Sequence, residues 1–133
     1  MSAAKIELAV LIDDEEIDRR QYERVLKRSG IVARVLSFTY ADEALVYLEA
    51  HPDVVDVIFL DINMPRMDGF EFLTRASETL GSNYAKMVVV MLTTSLNPGD
   101  QARASKYDVV KEYINKPLTV EHVLHVAELL EQG

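Results

Sequence analysis

Short apolar runs alternate with segments of helical spacing along the chain. The first, third and fourth runs are almost continuously apolar, which is typical of parallel strands covered by helices on both faces. The second and fifth are more mixed, but their β-branched residues also favour strands. The pattern therefore predicts five strands joined in βαβ units, at residues 6–12, 32–38, 54–60, 87–92 and 112–115.

Helical periodicity fills the segments between these runs. Apolar residues recur at i, i+3, i+4 and i+7 over 41–48, and again over 120–130, where Val123, Leu124 and Ala127 belong to the stripe. Gly30 and Gly81 are expected to end the first and third helices. The predicted helices cover about 15–29, 41–48, 69–80, a short polar segment from Pro98, and 120–130.

Five strands that alternate with five helices can be wound in more than one order. The commonest small solution is the flavodoxin-like fold: an α/β, doubly wound, parallel five-stranded (βα)₅ sheet with strand order 2-1-3-4-5. Its ligand crevice lies at the carboxyl ends of strands one and three. Because no repeat, low-complexity tract or linker interrupts the pattern, residues 1–133 are expected to form a single domain with a core of about 5–131.

Composition and charge narrow the classes of function. Hydrophobic residues make up 49% and charged residues 27% of the chain, as in ordinary globular proteins. The formal charge of −8 opposes binding to nucleic acid or to an anionic membrane surface. Since the sequence has no cysteine, thiolate metal sites and cysteine nucleophiles are excluded. With apolar runs far shorter than the roughly 20 residues of a membrane helix, we expect a cytoplasmic protein.

Acidic residues follow two of the predicted central strands. Asp13 and Asp14 come directly after the first, and Asp61 directly after the third. The Asp13-Asp14 pair alone is explained well as a helix N-cap, but strand propensity gives no reason for Asp61. In a flavodoxin-like winding the three carboxylates share one pocket, where like charges require a cation and oxygen ligands suit Mg²⁺ or Mn²⁺. A divalent metal site is therefore predicted.

Two further strand ends add a hydroxyl group and an ammonium group. Thr93 closes the fourth strand and Lys116 the fifth. Each has an ordinary alternative, because hydroxyls commonly bond loop backbone and lysines are usually solvated. Taken with three carboxylates and a metal, they supply the groups needed to transfer a phosphoryl group onto a carboxylate. Asp61 is then the nucleophile, and Thr93 and Lys116 hold phosphoryl oxygens.

The residues around these positions resemble the receiver domain of two-component response regulators. The resemblance extends from about residue 5 to 131 and rests on four motifs at strand ends, in the family's order. They are Leu-Ile-Asp-Asp-Glu-Glu at 11–16, Leu-Asp-Ile-Asn-Met-Pro-Arg-Met-Asp-Gly at 60–69, Leu-Thr-Thr-Ser at 92–95 and Tyr-Ile-Asn-Lys-Pro at 113–117.

The resemblance implies that Asp61 accepts a phosphoryl group from a histidine kinase or a histidine phosphotransfer protein. Asp14 and Asp61 would bind Mg²⁺ (or Mn²⁺), with Asp13 acting mainly through water and the Asn63 backbone carbonyl as a further ligand. The chain would be a signalling switch in a phosphorelay rather than an enzyme, because it catalyses only its own phosphorylation and slow autodephosphorylation.

The resemblance also implies which residues move on phosphorylation and which surface binds a partner. The Thr93 hydroxyl would swing towards the phosphoryl group as the switch residue, and the Tyr113 ring would turn inward behind it. Lys116 would pair with a phosphoryl oxygen and precede a cis peptide bond to Pro117. A stand-alone regulator would then bind an unknown downstream protein through its fourth helix, fifth strand and fifth helix. A homodimer through Leu129 stays open as well.

Two alternatives stay open beside this interpretation. A phosphorylation-independent interaction module would lack the acceptor or the lysine, and neither is missing. A metal-dependent aspartyl phosphatase would carry a second aspartate two residues after Asp61, where this chain has Asn63, and would have a cap insertion.

Overall fold

The computed structural model describes residues 5–132 as a sheet with helices on both faces. All four strand pairings are parallel, and the strand order β2-β1-β3-β4-β5 confirms the predicted flavodoxin-like winding. The elements in chain order are β1 (Ile6–Ile12), α1 (Glu16–Arg28), β2 (Val32–Phe38), α2 (Ala41–Ala50), β3 (Val57–Asp61), α3 (Gly69–Thr79), a 3₁₀ helix (Gly81–Lys86), β4 (Val89–Thr93), α4 (Pro98–Ala104), β5 (Val110–Asn115) and α5 (Val120–Gln132).

The core consists of two apolar layers, one on each face of the sheet. Strand β3 shows the division, since every residue in it is buried. Ile58 and Leu60 pack with residues of α2 and α3, whereas Val57 and Phe59 pack on the other face with residues of α1 and α5. Burying one such large side chain contributes about 1.5 to 3 kcal/mol. The continuous apolar runs of the sequence therefore correspond to strands covered on both sides.

Strand β3 starts at Val57, so the prediction that it starts at residue 54 is wrong. The reason lies in Asp56, whose carboxylate accepts hydrogen bonds from the backbone N–H groups of Glu7 (2.7 Å) and Leu8 (3.1 Å). The backbone N–H of Asp56 also donates to Leu8 O at 3.0 Å, so Asp56 marks the point where the pairing of β3 with β1 begins. Val54 lies before this contact and is exposed.

Two other strands, β4 and β5, start two residues away from the predicted position, whereas β1 and β2 start where predicted. Strand β4 begins at Val89 because Met87 still belongs to the end of the 3₁₀ helix, where its N–H donates to Tyr84 O at 3.0 Å. The sequence pattern did not predict this 3₁₀ helix. Strand β5 begins earlier than predicted, at Val110, which is paired with Val89 of β4.

The helices follow the predicted spacing, with one correction in α5. Val123, Val126 and Ala127 are buried, but Leu124 is 41% exposed, so its assignment to the buried stripe is wrong. Helix α1 ends as predicted, because Gly30 directly after the cap residue has φ of 77°, a conformation that glycine adopts at little cost. Within residues 5–132, no helix has the length and apolar character needed to cross a bilayer.

Candidate functional site

Three carboxylates meet at the carboxyl edge of the sheet. Asp61 is the last residue of β3, and Asp13 follows β1 at the point where Ile12 is paired with Leu60 of β3. Asp13, Asp14 and Asp61 each offer a carboxylate oxygen, and these oxygens lie within 4.8 Å of one another. Asp13 and Asp61 are buried, and Asp14 is partly exposed. The parallel winding thus brings together the three acids that the sequence analysis singled out.

Burial and the neighbouring carboxylates raise the pKa values of Asp13 and Asp61. Burial, followed by the charge of Asp13, raises the pKa of Asp61 from 3.8 to about 7, although Lys116 and a backbone hydrogen bond from Asn63 oppose the rise. Burial likewise raises the pKa of Asp13, against the opposing effects of hydrogen bonds from Glu15 and Lys116. Both acids are therefore harder to ionise in the folded chain than an exposed aspartate.

The donor set fits a hard divalent cation. Three converging carboxylates provide oxygen ligands of the kind that Mg²⁺ and Mn²⁺ prefer, and a cation there would relieve the repulsion between them. Asn63 is two residues beyond Asp61 and its side chain is exposed, so its backbone carbonyl is the part of it that could contribute. Asp13 also has a local role, since its Oδ1 accepts a hydrogen bond from Glu15 N at 2.9 Å.

Lys116 lies in the middle of this acidic group. Its Nζ is 2.9 Å from Asp13 Oδ2, 2.9 Å from Asp18 Oδ2 and 3.6 Å from Asp61 Oδ1. Burial alone would lower the pKa of Lys116, but the hydrogen bonds to Asp18 and Asp13 outweigh it and raise the pKa above its usual value. The Lys116-Pro117 peptide bond is cis, as expected. The lysine is therefore a buried, charged partner of the carboxylates and not a solvated side chain.

Asp18 is the site residue that the sequence reasoning missed, because it is one of several acidic residues after β1. Asp18 lies on the first turn of α1, close in the chain to the carboxyl end of β1. Its partner Lys116 comes 98 residues later, so no local pattern in the sequence connects the two.

Thr93 stands at the end of β4 and is fully buried. Its Oγ1 accepts a hydrogen bond from Ser95 N at 2.9 Å, which is the loop-backbone role that the sequence left open for it. A hydroxyl that accepts one bond can still donate its hydrogen. The two similar bonds that follow, Asn97 N to Ser95 Oγ (3.1 Å) and Gly99 N to Asn97 Oδ1 (2.9 Å), link Thr93 to the start of α4.

Tyr113 lies on β5, where it is paired with Met91 of β4. Its ring packs against the core beside α3 and α4, and its hydroxyl is buried with no hydrogen-bond partner among residues 5–132. Burial, with a further contribution from the charge of Asp100, raises the pKa of the hydroxyl, whereas the neighbouring Thr93 side chain lowers it. The ring thus already faces inward; its movement in a switch remains a prediction.

Comparison with known proteins identifies the family to which this chain belongs. A family model described as the response regulator receiver domain matches residues 9–128. The chain belongs to this family of two-component receiver domains. The strand order and the acidic edge of the sheet are consistent with that membership, and the four motifs of the sequence all fall within the matched region.

Individual proteins and one solved structure are also similar to this chain. Over 122 residues the chain is 31% identical to sensor histidine kinase CheAY of Helicobacter pylori, covering 91% of this chain but only 14% of that protein. Over 117 residues it is 30% identical to protein PilG of Pseudomonas aeruginosa, covering 86% of this chain and 80% of that one. The crystal structure of a two-component response regulator from Cytophaga hutchinsonii superimposes with a TM-score of 0.90 at 28% identity, covering 96% and 98% of the two chains.

Proposed function

We propose that this receiver domain is phosphorylated on Asp61 by a histidine kinase or a histidine phosphotransfer protein, and that phosphorylation changes its affinity for a downstream protein. One observation carries the proposal: the Asp61 carboxylate shares its pocket with two further carboxylates and lies 3.6 Å from the Lys116 ammonium. That combination provides a nucleophile and the charged groups that a phosphoryl group requires.

In the proposed reaction, a carboxylate oxygen of Asp61 forms a bond to the phosphorus of a phosphohistidine. The phosphorus–nitrogen bond breaks, and the leaving imidazole keeps the electron pair and later takes a proton. The ionised form of Asp61 is the reactive one, and because its pKa is raised to about 7, the side chain is mostly protonated and unreactive below neutral pH in the absence of a cation. Asp13, Asp14, Asp61 and the Asn63 carbonyl would hold Mg²⁺, which supplies positive charge that keeps Asp61 ionised and offsets the charge of the phosphoryl oxygens.

The switch would use groups that are already close to Asp61. A phosphoryl group brings additional negative charge and strong acceptor oxygens. Lys116 can pair with one oxygen, and the Thr93 hydroxyl can donate to another if the β4-α4 loop closes toward it. Because Ser95 and Asn97 link Thr93 to α4 by side-chain bonds, a movement of Thr93 changes the start of that helix. The α4-β5-α5 face is therefore the proposed output surface.

Intact-protein mass spectrometry tests the acceptor directly. After incubation with acetyl phosphate and Mg²⁺, wild type should gain a single adduct of about 80 Da, and Asp61→Asn should gain none. Asp108→Asn is the matched control, because it removes an exposed carboxylate outside the cluster, and it should be labelled like wild type. Omitting Mg²⁺ in the presence of EDTA should abolish labelling of both wild type and Asp108→Asn.

The two alternatives predict other outcomes in the same assay. Absence of an adduct on wild type, under conditions that label a known receiver, would favour a phosphorylation-independent interaction module. Repeated turnover of p-nitrophenyl phosphate that depends on Asp61 would favour a phosphatase acting on an external substrate. A receiver instead becomes labelled once per chain and loses the group slowly.

A further inference from the structure

Asp18 forms an ion pair that crosses from α1 to the end of β5. Its Oδ2 lies 2.9 Å from Lys116 Nζ, where the Lys116 side chain is 9% exposed and that of Asp18 is 30% exposed. Other acids at the start of α1 are placed differently: Glu16 forms an exposed ion pair with Arg20 of the same helix. Asp18 is thus the one acid of this turn that contacts the functional lysine in the described structure.

The ammonium group of Lys116 has three hydrogens to donate. Asp13 and Asp18 each accept one at 2.9 Å, whereas Asp61 is 3.6 Å away, beyond normal hydrogen-bond length. The resting structure therefore directs the lysine toward α1 and β1 and away from the acceptor aspartate. Of its two close partners, Asp13 belongs to the three-carboxylate group and Asp18 does not.

We propose that Asp18 is a positioning residue that competes with a phosphoryl group on Asp61 for the Lys116 ammonium. The inference rests on the function proposed above, because it requires Asp61 to be the acceptor. For Lys116 to pair with a phosphoryl oxygen, its Nζ must weaken or give up the contact with Asp18. The Asp18 carboxylate thereby favours the unphosphorylated arrangement and weakens the hold on a phosphoryl group.

Substitution of Asp18 by Asn removes the competing charge and keeps the shape of the side chain. The phosphoryl mimic beryllofluoride, added with Mg²⁺ and followed by ¹⁹F NMR, should then bind roughly two- to fivefold more tightly than to wild type, the range expected for a partly exposed ion pair. Asp18→Ser should shift the affinity in the same direction. Asp18→Glu keeps the charge and should restore an affinity near that of wild type.

Glu16→Gln is the matched control, because it removes the same charge from the same turn of α1 without touching Lys116. It should leave beryllofluoride affinity within twofold of wild type, roughly the scatter allowed for an exposed pair. The NMR signal of the Lys116 ammonium reports the contact itself: it should move in Asp18→Asn and stay in place in Glu16→Gln. A residue that merely stabilised α1 would not produce this difference.

The outcomes separate the two proposals. If wild type binds no beryllofluoride and gains no acetyl phosphate adduct, the proposed function fails, and the role of Asp18 fails with it. If wild type binds and is labelled, but Asp18→Asn binds equally or more weakly, the function stands and the competition is overturned. An equal shift in Asp18→Asn and Glu16→Gln would likewise overturn it, since the effect would then come from net charge alone.

Discussion

The ammonium nitrogen of Lys116 lies 3.6 Å from Oδ1 of Asp61, between the ends of two different strands. The distance is short enough for charge pairing and too long for a good hydrogen bond. Within residues 5–132, this lysine forms ion pairs with three carboxylates, and it holds two of them more closely than it holds Asp61. The electrostatic balance of the site therefore depends on one side chain.

Removal of the lysine charge should destabilise the metal-free protein. In Lys116→Met, Asp13, Asp18 and Asp61 lose their shared cation, so the free energy of unfolding in EDTA should fall by roughly 2 to 4 kcal/mol, as when one partner of a buried ion pair is lost. Urea denaturation at neutral pH measures this. Because repulsion among the acids then increases, Mg²⁺ should bind more tightly to the variant and should restore part of the lost stability.

Lys86→Met is the control for this prediction. It removes an exposed ammonium group from a pair with Asp53, and the expected change in unfolding free energy is below about 1 kcal/mol, with no effect on Mg²⁺ affinity. If the two variants lost similar amounts of stability, Lys116 would not be the main counter-ion of the acidic group.

The raised pKa of Asp61 predicts a characteristic pH dependence in the absence of metal. The pKa of an aspartate is ordinarily 3.8, as expected in the unfolded chain, whereas the pKa of Asp61 in the folded protein is about 7. Between pH 3.8 and about pH 7 the folded state therefore keeps a proton that the unfolded state has lost. This contribution to stability is fully present below about pH 4 and is lost as pH rises through 7. Asn resembles the protonated acid, so Asp61→Asn should exceed wild type in stability above pH 7, on the order of 1 to 4 kcal/mol.

Denaturation curves of wild type and Asp61→Asn in EDTA, measured from pH 4 to pH 8, provide the test. The difference between them should shrink toward the acid end of the range. Saturating Mg²⁺ at pH 8 should also reduce it, because the cation meets three carboxylates in wild type and only two in the variant, and therefore stabilises wild type more. A difference that stays constant with pH would show that Asp61 ionises normally in the folded chain.

The central strands could be predicted because continuous apolar runs in the sequence indicate strands that are buried on both faces. Strands β3 and β4 are buried along their whole length, and a continuous apolar run is typical of a parallel strand covered on both faces. The boundaries could not be predicted in the same way, since they depend on tertiary contacts. Strand β3 starts late because the Asp56 side chain bonds the backbone of β1, and hydrophobic periodicity contains no information about such a bond.

The site shows the same division. Asp61 could be identified because it ends an apolar strand, where strand propensity gives no reason for an acid, and the predicted winding placed Asp13 and Asp14 beside it. Asp18 lies within a helix rich in charged residues, and there an acid is ordinary. Only the folded chain reveals that Lys116, which is distant in sequence, lies 2.9 Å from it. Side-chain partners across a parallel sheet depend on the crossover geometry, which the local sequence does not contain.

Gly69 should be intolerant of even a small side chain. A Cβ atom there would lie 2.9 Å from the Asp61 carbonyl oxygen and 3.0 Å from Ile62 Cα, both backbone atoms. Gly69→Ala must therefore displace the start of α3 from the end of β3, and the expected loss is about 1 to 3 kcal/mol of unfolding free energy. Gly99→Ala is the control, because its nearest neighbour is the movable Asn97 side chain; an equal loss in both variants would rule out the backbone clash as the cause.

The buried hydroxyl of Tyr113 predicts a gain in stability when it is removed. The group has no hydrogen-bond partner in the part of the chain that the structure describes, and such a group loses its bonds to water on folding. Tyr113→Phe keeps the ring in the core and should raise the unfolding free energy of the unphosphorylated protein by about 1 kcal/mol. Urea denaturation compares it with Tyr84→Phe, which removes a hydroxyl from a half-buried ring of the 3₁₀ helix and should bring a smaller change. A loss of stability specific to Tyr113→Phe would instead reveal a hydrogen bond that holds this hydroxyl in the resting state.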